Sequence, residues 1–176
     1  MSIGTLDWTP AGERTELLAP SVAAFLAGWA QAADVLVAEI DPELADTAAF
    51  CERYAVPLEA SANCVVVEGR RGETSRHAAC MVLATDRADV NGVVRRRLDA
   101  RKASFAPMAQ AVDLTGMEYG GITPLGLPSD WPVLVDDAVA EVELAVVGSG
   151  VRRSKLALRG QLLAQLPAAE LLSLRL

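Results

Sequence analysis

The order in which short β-rich and helical segments follow one another constrains the fold more than any other feature of this sequence. The β-rich runs are "DVLVAEI", "NCVVVEG", "RHAACMVLA", "ASFA", "PVLVD", "ELAVVGSG" and "SKLAL", and helical patterns cover residues 21–33, 46–56, 89–100, 107–116 and 160–166. The strands outnumber the helices and do not alternate strictly with them, which disfavours a doubly wound fold. We therefore predict a single α+β domain over residues 21–176, with a mixed β-sheet flanked by helices. Residues 1–20 are expected to form a loosely structured lead-in, because prolines and glycines interrupt any regular pattern there.

Local signals predict several helix starts and one hairpin. Ser21, Thr47 and Asp89 stand where helices should begin, and their side chains can accept hydrogen bonds from free backbone N–H groups. The runs 63–69 and 76–84 predict a β-hairpin, although the loop between them exceeds the two-residue ideal.

Composition excludes several classes of protein. A hydrophobic content of 52% in 176 residues supports one full-sized core and excludes a disordered chain. No apolar run reaches the roughly 18 residues of a membrane span, and the N-terminal residues lack the pattern of a signal peptide. Cys51, Cys64 and Cys80 lack CxxC spacing and His77 is the single histidine, so a zinc site has too few ligands. This cysteine usage favours a cytoplasmic location.

The net charge of −7 is distributed unevenly. Residues 1–60 contain ten acidic and two basic residues, whereas residues 61–176 contain thirteen acidic and fourteen basic ones. Bases concentrate in "RRRLDARK" (residues 95–102) and "RRSKLALR" (residues 152–159). An acidic protein does not bind nucleic acid through bulk charge, but such clusters can still contact phosphates. A solvated face explains the same clusters, so charge alone leaves both interpretations open.

Glycine and proline are concentrated in "TGMEYGGITPLGLP", residues 115–128, which carries four glycines and two prolines. A second turn, "VVGSGVR", places Ser149 between Gly148 and Gly150 but matches neither the dinucleotide-binding fingerprint nor the P-loop pattern. Glycine lacks a Cβ and allows close approach of the backbone, so both loops could present amides to an anion or a ribose. Turn geometry alone would also explain each loop.

Three side chains that could take part in catalysis also have ordinary structural explanations. His77 lies in an apolar run, and a catalytic histidine needs a nucleophile and an orienting acid beside it. Cys64 alternates with Asn63 and Val65 along a strand, so its side chain should point to the opposite face and behave as a small hydrophobe. Asp136 ends a strand, where a carboxylate more often caps a turn than binds a metal or transfers a proton. A cysteine hydrolase built on Cys64 and His77 is the weakest functional hypothesis.

The order of the segments resembles the YbaK / prolyl-tRNA-synthetase-associated editing-domain family over residues 46–166, about two thirds of the chain. The most specific part is a helix ending "LTG" followed by "GGITPLGLP", the strand "PVLVD" and the turn "VVGSG". The GxxxP loop of the family falls on Gly120 to Pro124, and "TDRADVNGVVRRRL" is similar to its D-R-x-x-D segment before a helix. The sequence is identified on these motifs as a member of that family.

The resemblance implies a trans-acting aminoacyl-tRNA deacylase that hydrolyses the ester of a proline-type tRNA carrying a wrong small amino acid, such as cysteine or alanine. It implies no metal and no organic cofactor. The GxxxP loop would shape the pocket and offer backbone amides to the aminoacyl group, and catalysis would rely on positioning, backbone donors and hydroxyl or thiol groups of the substrate. The implied catalytic residues are Asn63, Gly120 and Gly121. The implied substrate-binding residues are Ile122, Thr123, Pro124, Gly126, Asp136, Gly148, Ser149, Gly150 and Lys155.

One position departs from the family pattern. The family has a lysine just inside the first hairpin strand, in a pattern like A-K-T-L-V-F, whereas "ANCVVV" places Asn63 there. An ammonium would neutralise charge developing on the ester, and losing such a contact could remove several kcal/mol of transition-state stabilisation. Lys155 matches a position near the substrate and tRNA-end contacts of the family and could partly compensate. The alternative is a non-catalytic module that binds an aminoacyl-tRNA end or an amino acid.

The implied partner is a mischarged tRNA, with a prolyl-tRNA synthetase as a second candidate, and no membrane or DNA partner is implied. A tRNA acceptor stem requires phosphate contacts, which the basic clusters would supply and a free amino-acid binder would not need. The residues assigned to tRNA binding are Arg95, Arg96, Arg97, Arg101, Lys102, Arg152 and Arg153.

Overall fold

The computed structural model describes residues 1–176, which form nine strands and six α-helices together with short 3₁₀ turns. The strands are β1 (Thr9–Pro10), β2 (Leu36–Glu39), β3 (Ala62–Arg71), β4 (Thr74–Leu83), β5 (Lys102–Phe105), β6 (Val133–Asp136), β7 (Ala145–Gly148), β8 (Ser154–Leu158) and β9 (Ala169–Leu172). The helices are α1 (Pro20–Gly28), α2 (Thr47–Tyr54), α3 (Arg95–Arg97), α4 (Met108–Thr115), α5 (Asp137–Ala140) and α6 (Gly160–Leu163), and a π-helical turn (Val90–Val94) leads into α3.

The strands form two sheets. A mixed five-stranded sheet has the order β5-β3-β4-β6-β9, with antiparallel pairing from β5 to β4 and parallel pairing from β4 to β9. A four-stranded antiparallel sheet has the order β1-β2-β8-β7. A parallel bridge between Ser61 and Val146 connects the two sheets where β3 begins. The predicted α+β class with a mixed, helix-flanked sheet is confirmed, and the second sheet adds to it.

The central hairpin is longer than its apolar runs. β3 and β4 pair from end to end, which leaves a two-residue turn at Gly72 and Glu73. Gly72 has a φ of 61°, which glycine adopts without a steric penalty. The predicted loop was too long, because exposed polar residues at the strand ends still continue the backbone ladder.

The two faces of the five-stranded sheet are buried against different partners. One face, which includes Ala79 and Met81, packs against the four-stranded sheet and α1 in the largest hydrophobic cluster. The opposite face, which includes Val67 and Cys80, packs against apolar side chains from the π-helical turn and α3 region. Since successive side chains of a strand point to opposite faces, this layering decides where each residue of β3 can act.

Two of the three predicted helix caps differ from the prediction. Asp89 caps the π-helical turn by accepting two backbone N–H groups, as predicted. Helix α1 begins at Pro20, so Ser21 lies inside the helix and its buried hydroxyl has no hydrogen-bond partner. Thr47 is the first residue of α2 instead of its cap, and its hydroxyl donates to Asn63. A partner distant in sequence therefore replaced the local backbone as the acceptor for Thr47.

Residues 1–20 are more ordered than the sequence indicates. β1 pairs with β2, and two 3₁₀ turns follow at Ala11–Glu13 and Thr15–Leu17. Leu6 and Leu18 are buried in the hydrophobic clusters. This segment lacks a periodic pattern because its contacts are made with distant parts of the chain. The short elements β9 and α5 were not predicted for the same reason: β9 depends on parallel pairing with β6.

Candidate functional site

A cavity of about 210 Å³ lies where the two sheets meet at the beginning of β3. Its walls come from β3, β7, β8, the start of α2 and the glycine-rich segment 115–128. The lining residues are Ala45, Asp46, Thr47, Ser61, Ala62, Asn63, Cys64, Val65, Tyr119, Gly120, Ile122, Val146, Val147, Gly148 and Lys155. Drug-sized ligands occupy pockets of roughly 300–1,000 Å³, so this cavity suits a smaller chemical group.

Asn63 is held in the cavity wall by a neighbouring hydroxyl. The Thr47 Oγ1 donates a hydrogen bond of 2.7 Å to Asn63 Oδ1. Because Oδ1 is occupied in this way, the Nδ2 group of Asn63 is left as a donor toward a ligand. The role of Thr47 was missed because its partner lies on a different element.

Lys155 reaches the same cavity from β8. The residue is only 8% exposed, and its Nζ donates to the backbone carbonyl of Ala45 at 2.9 Å. The Nζ also lies 5.2 Å from the centre of the Phe50 ring, within the range of a cation–π contact. The structure therefore brings a lysine and Asn63 into one cavity, although they belong to different sheets.

The surroundings of Lys155 change its protonation. Burial lowers the pKa of its ammonium from 10.5 to about 8, and nearby Arg152 acts in the same direction. Cys51 and Asp46 oppose this effect without cancelling it. The side chain is thus a cation at neutral pH that loses its proton under mildly alkaline conditions.

The glycine-rich segment contributes backbone to the cavity at Gly120 and Ile122. Gly120 has a φ of 84°, and a Cβ there would lie 2.5 Å from Arg152 Nη1, so both conformation and space favour glycine. Neither the Gly120 nor the Ile122 backbone N–H donates a hydrogen bond to a protein acceptor. These two amides are therefore not consumed by the fold.

Other glycines of the two loops serve a different purpose, which is close packing of one backbone on another. The Gly121 N–H donates to the carbonyl of Glu118 at 3.0 Å, and its carbonyl accepts the Gly150 N–H at 2.7 Å. A Cβ at Gly148 would lie 2.4 Å from the Gly121 oxygen, and a Cβ at Gly121 would lie 2.6 Å from the Val151 oxygen. Gly121 does not line the cavity, and its amide is already bonded.

The structure also places Asp136 and Ser149 away from the cavity. Asp136 is fully buried and accepts hydrogen bonds from backbone N–H groups and from Arg175. Burial alone would raise the pKa of this carboxyl, but those donors outweigh it and hold the pKa below its ordinary value. The Ser149 hydroxyl bonds to Ser154 and the Val151 carbonyl. Ser149 therefore stabilises the turn next to Gly148, and Asp136 stabilises the start of α5 and the C-terminal segment.

Four further residues of the predicted substrate site do not line the cavity either. Thr123 and Pro124 are buried behind it. Gly126 packs on the backbone at Ser21, and Gly150 packs on Ala19. The GxxxP loop therefore contributes its first half to the cavity and its second half to the core.

The residues predicted to bind tRNA do not form one continuous surface. Arg95, Arg101 and Lys102 line a groove beside β5, together with Arg70, which sequence reasoning did not assign. Arg97 instead forms a two-point ion pair with Glu170.

The remaining predicted cations lie elsewhere. Arg152 donates to the carbonyls of Pro42 and Tyr119 at 3.2 and 3.0 Å, beside the cavity, and Arg153 donates to a backbone carbonyl of the N-terminal segment. Arg96 is exposed. Contacts with backbone carbonyls account for Arg152 and Arg153 without a ligand.

The geometry does not support a cysteine hydrolase. Register places Cys64 and His77 four positions apart along the hairpin, or about 13 Å. Burial raises the pKa of the Cys64 thiol, which disfavours the nucleophilic thiolate. The His77 ring stacks on Trp131 with centroids 5.2 Å apart and contacts Gln110 at 3.2 Å. Both residues have structural roles.

The structure has neither a metal-binding cluster nor a membrane-spanning helix. No group of three or more His, Cys, Asp or Glu side chains is arranged to hold a metal ion. No helix has the length and apolar character needed to cross a membrane.

Comparison with known proteins gives the site a family context. Proline–tRNA ligase of Listeria monocytogenes serovar 1/2a is 34% identical over 70 residues, which are 39% of this chain and 12% of the ligase. The ligase of Listeria welshimeri is 33% identical over 70 residues, with the same shares. The aligned part therefore spans only about an eighth of each ligase.

A solved structure and a family model extend the comparison to most of the chain. The crystal structure of a proposed trans-editing enzyme for prolyl tRNA synthetase matches with a TM-score of 0.73 over 90% of this chain and 99% of that chain. At 18% identity this likeness shows the fold. The model of the aminoacyl-tRNA editing domain matches residues 41–166, which include the whole cavity. The protein therefore belongs to the aminoacyl-tRNA editing domain family, also called the YbaK family.

Proposed function

We propose that this protein is a trans-acting deacylase that hydrolyses the ester between a wrong small amino acid and a proline-type tRNA. The observation that carries the proposal is that Lys155, Asn63 and the backbone of Gly120 and Ile122 line one small cavity. Each contributes a hydrogen-bond donor, and negative charge develops on the ester carbonyl oxygen during hydrolysis. Family membership supports tRNA editing as the biological context.

The proposed reaction needs only water as a co-substrate. Water attacks the ester carbonyl carbon, gives up one proton and forms a tetrahedral oxyanion. The bond from that carbon to the ribose oxygen then breaks, the ribose oxygen regains a proton, and a free amino acid and an uncharged tRNA result. The Gly120 and Ile122 amides are the donors that the fold leaves free for the oxyanion.

Two polar side chains orient the substrate in this proposal. Lys155 supplies from β8 the positive charge that the family pattern places in β3, where this chain has Asn63. Asn63 donates through Nδ2, because Thr47 occupies its Oδ1. Asp46, the carboxylate of the lining, would bind the α-ammonium group of the amino acid.

The size of the cavity favours a small aminoacyl group. A volume of about 210 Å³ has to hold the amino acid and part of the ribose ester. A deacylase of this kind would act in the cytoplasm, where tRNAs are charged. A prolyl-tRNA synthetase is the proposed second partner, which the partial similarity to proline–tRNA ligases supports.

The second candidate function is a non-catalytic module that binds an aminoacyl-tRNA end or an amino acid. One observation favours it: Asn63 is neutral and bonded to Thr47, so β3 supplies no charge to the cavity. The two candidates differ in turnover and not in binding.

Hydrolysis of a panel of aminoacyl-tRNAs tests the proposal. Purified protein is mixed with proline-type tRNA charged with alanine, cysteine or proline, and with a different tRNA charged with alanine. We expect catalysed loss of at least one wrong amino acid, above the spontaneous rate, and little loss of proline. Retained binding with no catalysed hydrolysis of any substrate would favour the binding module.

A matched pair of variants ties any activity to the cavity. Lys155→Met removes the buried cation, whereas Arg159→Met removes an exposed cation outside the cavity lining. Activity that is lost only in Lys155→Met supports the proposed site. Equal activity in both variants and the parent would mean that the hydrolysis occurs elsewhere.

A further inference from the structure

Two grooves adjoin the cavity along β3 and β5. A groove of about 500 Å³ shares Asn63 and Val65 with the cavity and extends to Asn91 and Phe105. A third groove, of about 680 Å³, shares Asn91 and Phe105 with the second and runs beside β5. Neighbouring members of this series share lining residues, and we name the three together the β5 channel.

The far end of the β5 channel is cationic. Four bases line it, Arg70, Arg95, Arg101 and Lys102, against the single acid Glu68. Glu68 is buried and already bonded to Ser75 and Arg70. Neither Arg101 nor Lys102 forms an ion pair within the protein. This end therefore offers free positive charge to an anionic ligand such as a phosphate.

The middle of the channel carries two carboxylates, Asp86 and Asp89, and one cation, Arg87. Asp89 accepts two backbone N–H groups at the π-helical turn. The other residues that line this groove are mainly apolar.

Phe105 stands at the junction of the two outer grooves and is unusual among the phenylalanines of the chain. It is 61% exposed, whereas Phe50 is fully buried and Phe25 packs against the core. An exposed aromatic ring beside cations is the arrangement with which proteins stack the bases of single-stranded nucleic acids. The fold gives no packing reason for this ring.

The dimensions of the channel match a few nucleotides. Phe105 pairs with Val67, four residues along β3 from Asn63, which corresponds to about 13 Å. Stacked nucleotides advance about 3.4 Å each, so three or four fit between the cavity and Phe105. Arg70 lies three residues further, at about 10 Å.

We propose that the β5 channel binds the single-stranded 3′ end of an RNA, with a base stacked on Phe105 and phosphates bound by Arg70, Arg95, Arg101 and Lys102. The inference rests on the proposed function, because the terminal ribose would carry the amino acid into the cavity. It adds the path of the RNA and names Arg70 and Phe105 as binding residues. A base stacked on Phe105 lies between the ester and the phosphate contacts.

Binding of a short fluorescein-labelled single-stranded RNA ending in CCA tests this directly, because it needs no turnover. Fluorescence anisotropy compares the parent with Phe105→Ala, and with Met108→Ala as a control for an exposed apolar residue outside the channel. We expect Phe105→Ala to weaken binding by roughly 5- to 150-fold, and Phe105→Tyr to restore most of it. Equal affinities of Phe105→Ala and Met108→Ala, with both variants folded by circular dichroism, would overturn the proposal.

A second measurement tests the cationic end and separates this inference from the deacylase proposal. The double variant Arg101→Gln/Lys102→Gln should reduce the salt dependence of RNA binding, by a slope of about 1.4 for two lost phosphate contacts. An unchanged slope would overturn the phosphate assignment.

RNA binding that depends on Phe105 in a protein without deacylase activity would retain the channel and reject the enzyme. Deacylation with a KM that Phe105→Ala does not change would retain the enzyme and reject the channel.

Discussion

Lys155 and Lys102 are the only lysines of the chain, and they lie in regions with opposite physical properties. Lys155 is buried in the cavity wall, whereas Lys102 is exposed at the cationic end of the β5 channel. In the cavity, low hydration strengthens each electrostatic contact and shifts the pKa. In the channel, water and salt screen the same unit charge within about 10 Å.

This difference separates two tasks that a single charged cluster could not combine. The buried cation can act on one particular atom, because its position is fixed by Ala45 and Phe50. The exposed cations can attract any phosphate, because water surrounds them and neither Arg101 nor Lys102 forms an ion pair within the protein. The reaction rate that depends on the cavity should therefore vary with pH and with single-atom changes. RNA binding in the channel should instead vary with salt concentration.

The largest expected effect is the loss of the buried cation. Lys155→Met should lower the deacylation rate at saturating tRNA by about 100-fold, because a preorganised charge in a poorly hydrated site stabilises the developing oxyanion strongly. Lys102→Met should instead raise KM more than it lowers kcat. Single-turnover rates and concentration series on both variants measure this contrast. A Lys155→Met enzyme within a few-fold of the parent would contradict the assigned role.

The second expected effect is a pH-dependent stability that belongs to Lys155. Its folded-state pKa of about 8 lies below the ordinary 10.5, so the unfolded chain binds more protons between these pH values. The free energy of unfolding contributed by this residue should therefore rise as pH increases across that window, by on the order of 3 kcal/mol in total. Cys51, Asp46 and Arg152 face the ammonium and set the exact midpoint. Denaturant unfolding of the parent and of Lys155→Met at several pH values gives the difference.

Catalysis should change in the opposite direction over the same range. If the ammonium stabilises the oxyanion, the enzyme-dependent rate falls as pH rises through about 8, after the spontaneous hydrolysis is subtracted. A parent-to-variant difference in unfolding free energy that stays constant with pH would argue against a titrating Lys155.

A smaller effect is expected at the neutral residue of the cavity. Asn63→Ala removes the Nδ2 donor and leaves the Thr47 hydroxyl without its acceptor, and should lower deacylation of the true substrate by about 10-fold. Asn63→Lys should shift preference toward the wrong aminoacyl groups that the family resemblance implies. Rates on the substrate panel check both changes. No change in any rate would mean that Asn63 serves only to hold Thr47.

The smallest expected effect lies in the channel. Lys102→Gln should weaken tRNA binding only a few-fold at physiological salt and should reduce the slope of log affinity against log salt by about 0.7. Titrations of uncharged tRNA at several salt concentrations measure it. A tRNA affinity that varies with pH as strongly as the Lys155-dependent rate would contradict the proposed difference between the two regions.

The sequence by itself determined the features that depend on neighbours along the chain. The hairpin of β3 and β4 follows from two β-rich runs in succession, and Asp89 caps its helical turn because the acceptor and the donors are adjacent. The family resemblance also identified the GxxxP loop and the replacement of a lysine by Asn63. The family model bears out the resemblance over residues 41–166.

Tertiary structure alone decided which of those residues meet. Lys155 enters the cavity of Asn63 because β8 pairs with β7 and β7 bridges to the start of β3. Gly121 was indistinguishable from Gly120 in the sequence, and only the close packing of two backbones separates this packing glycine from one that lines the cavity. Such contacts join residues far apart in the chain. Their formation depends on how whole sheets pack against each other, and no local propensity carries that information.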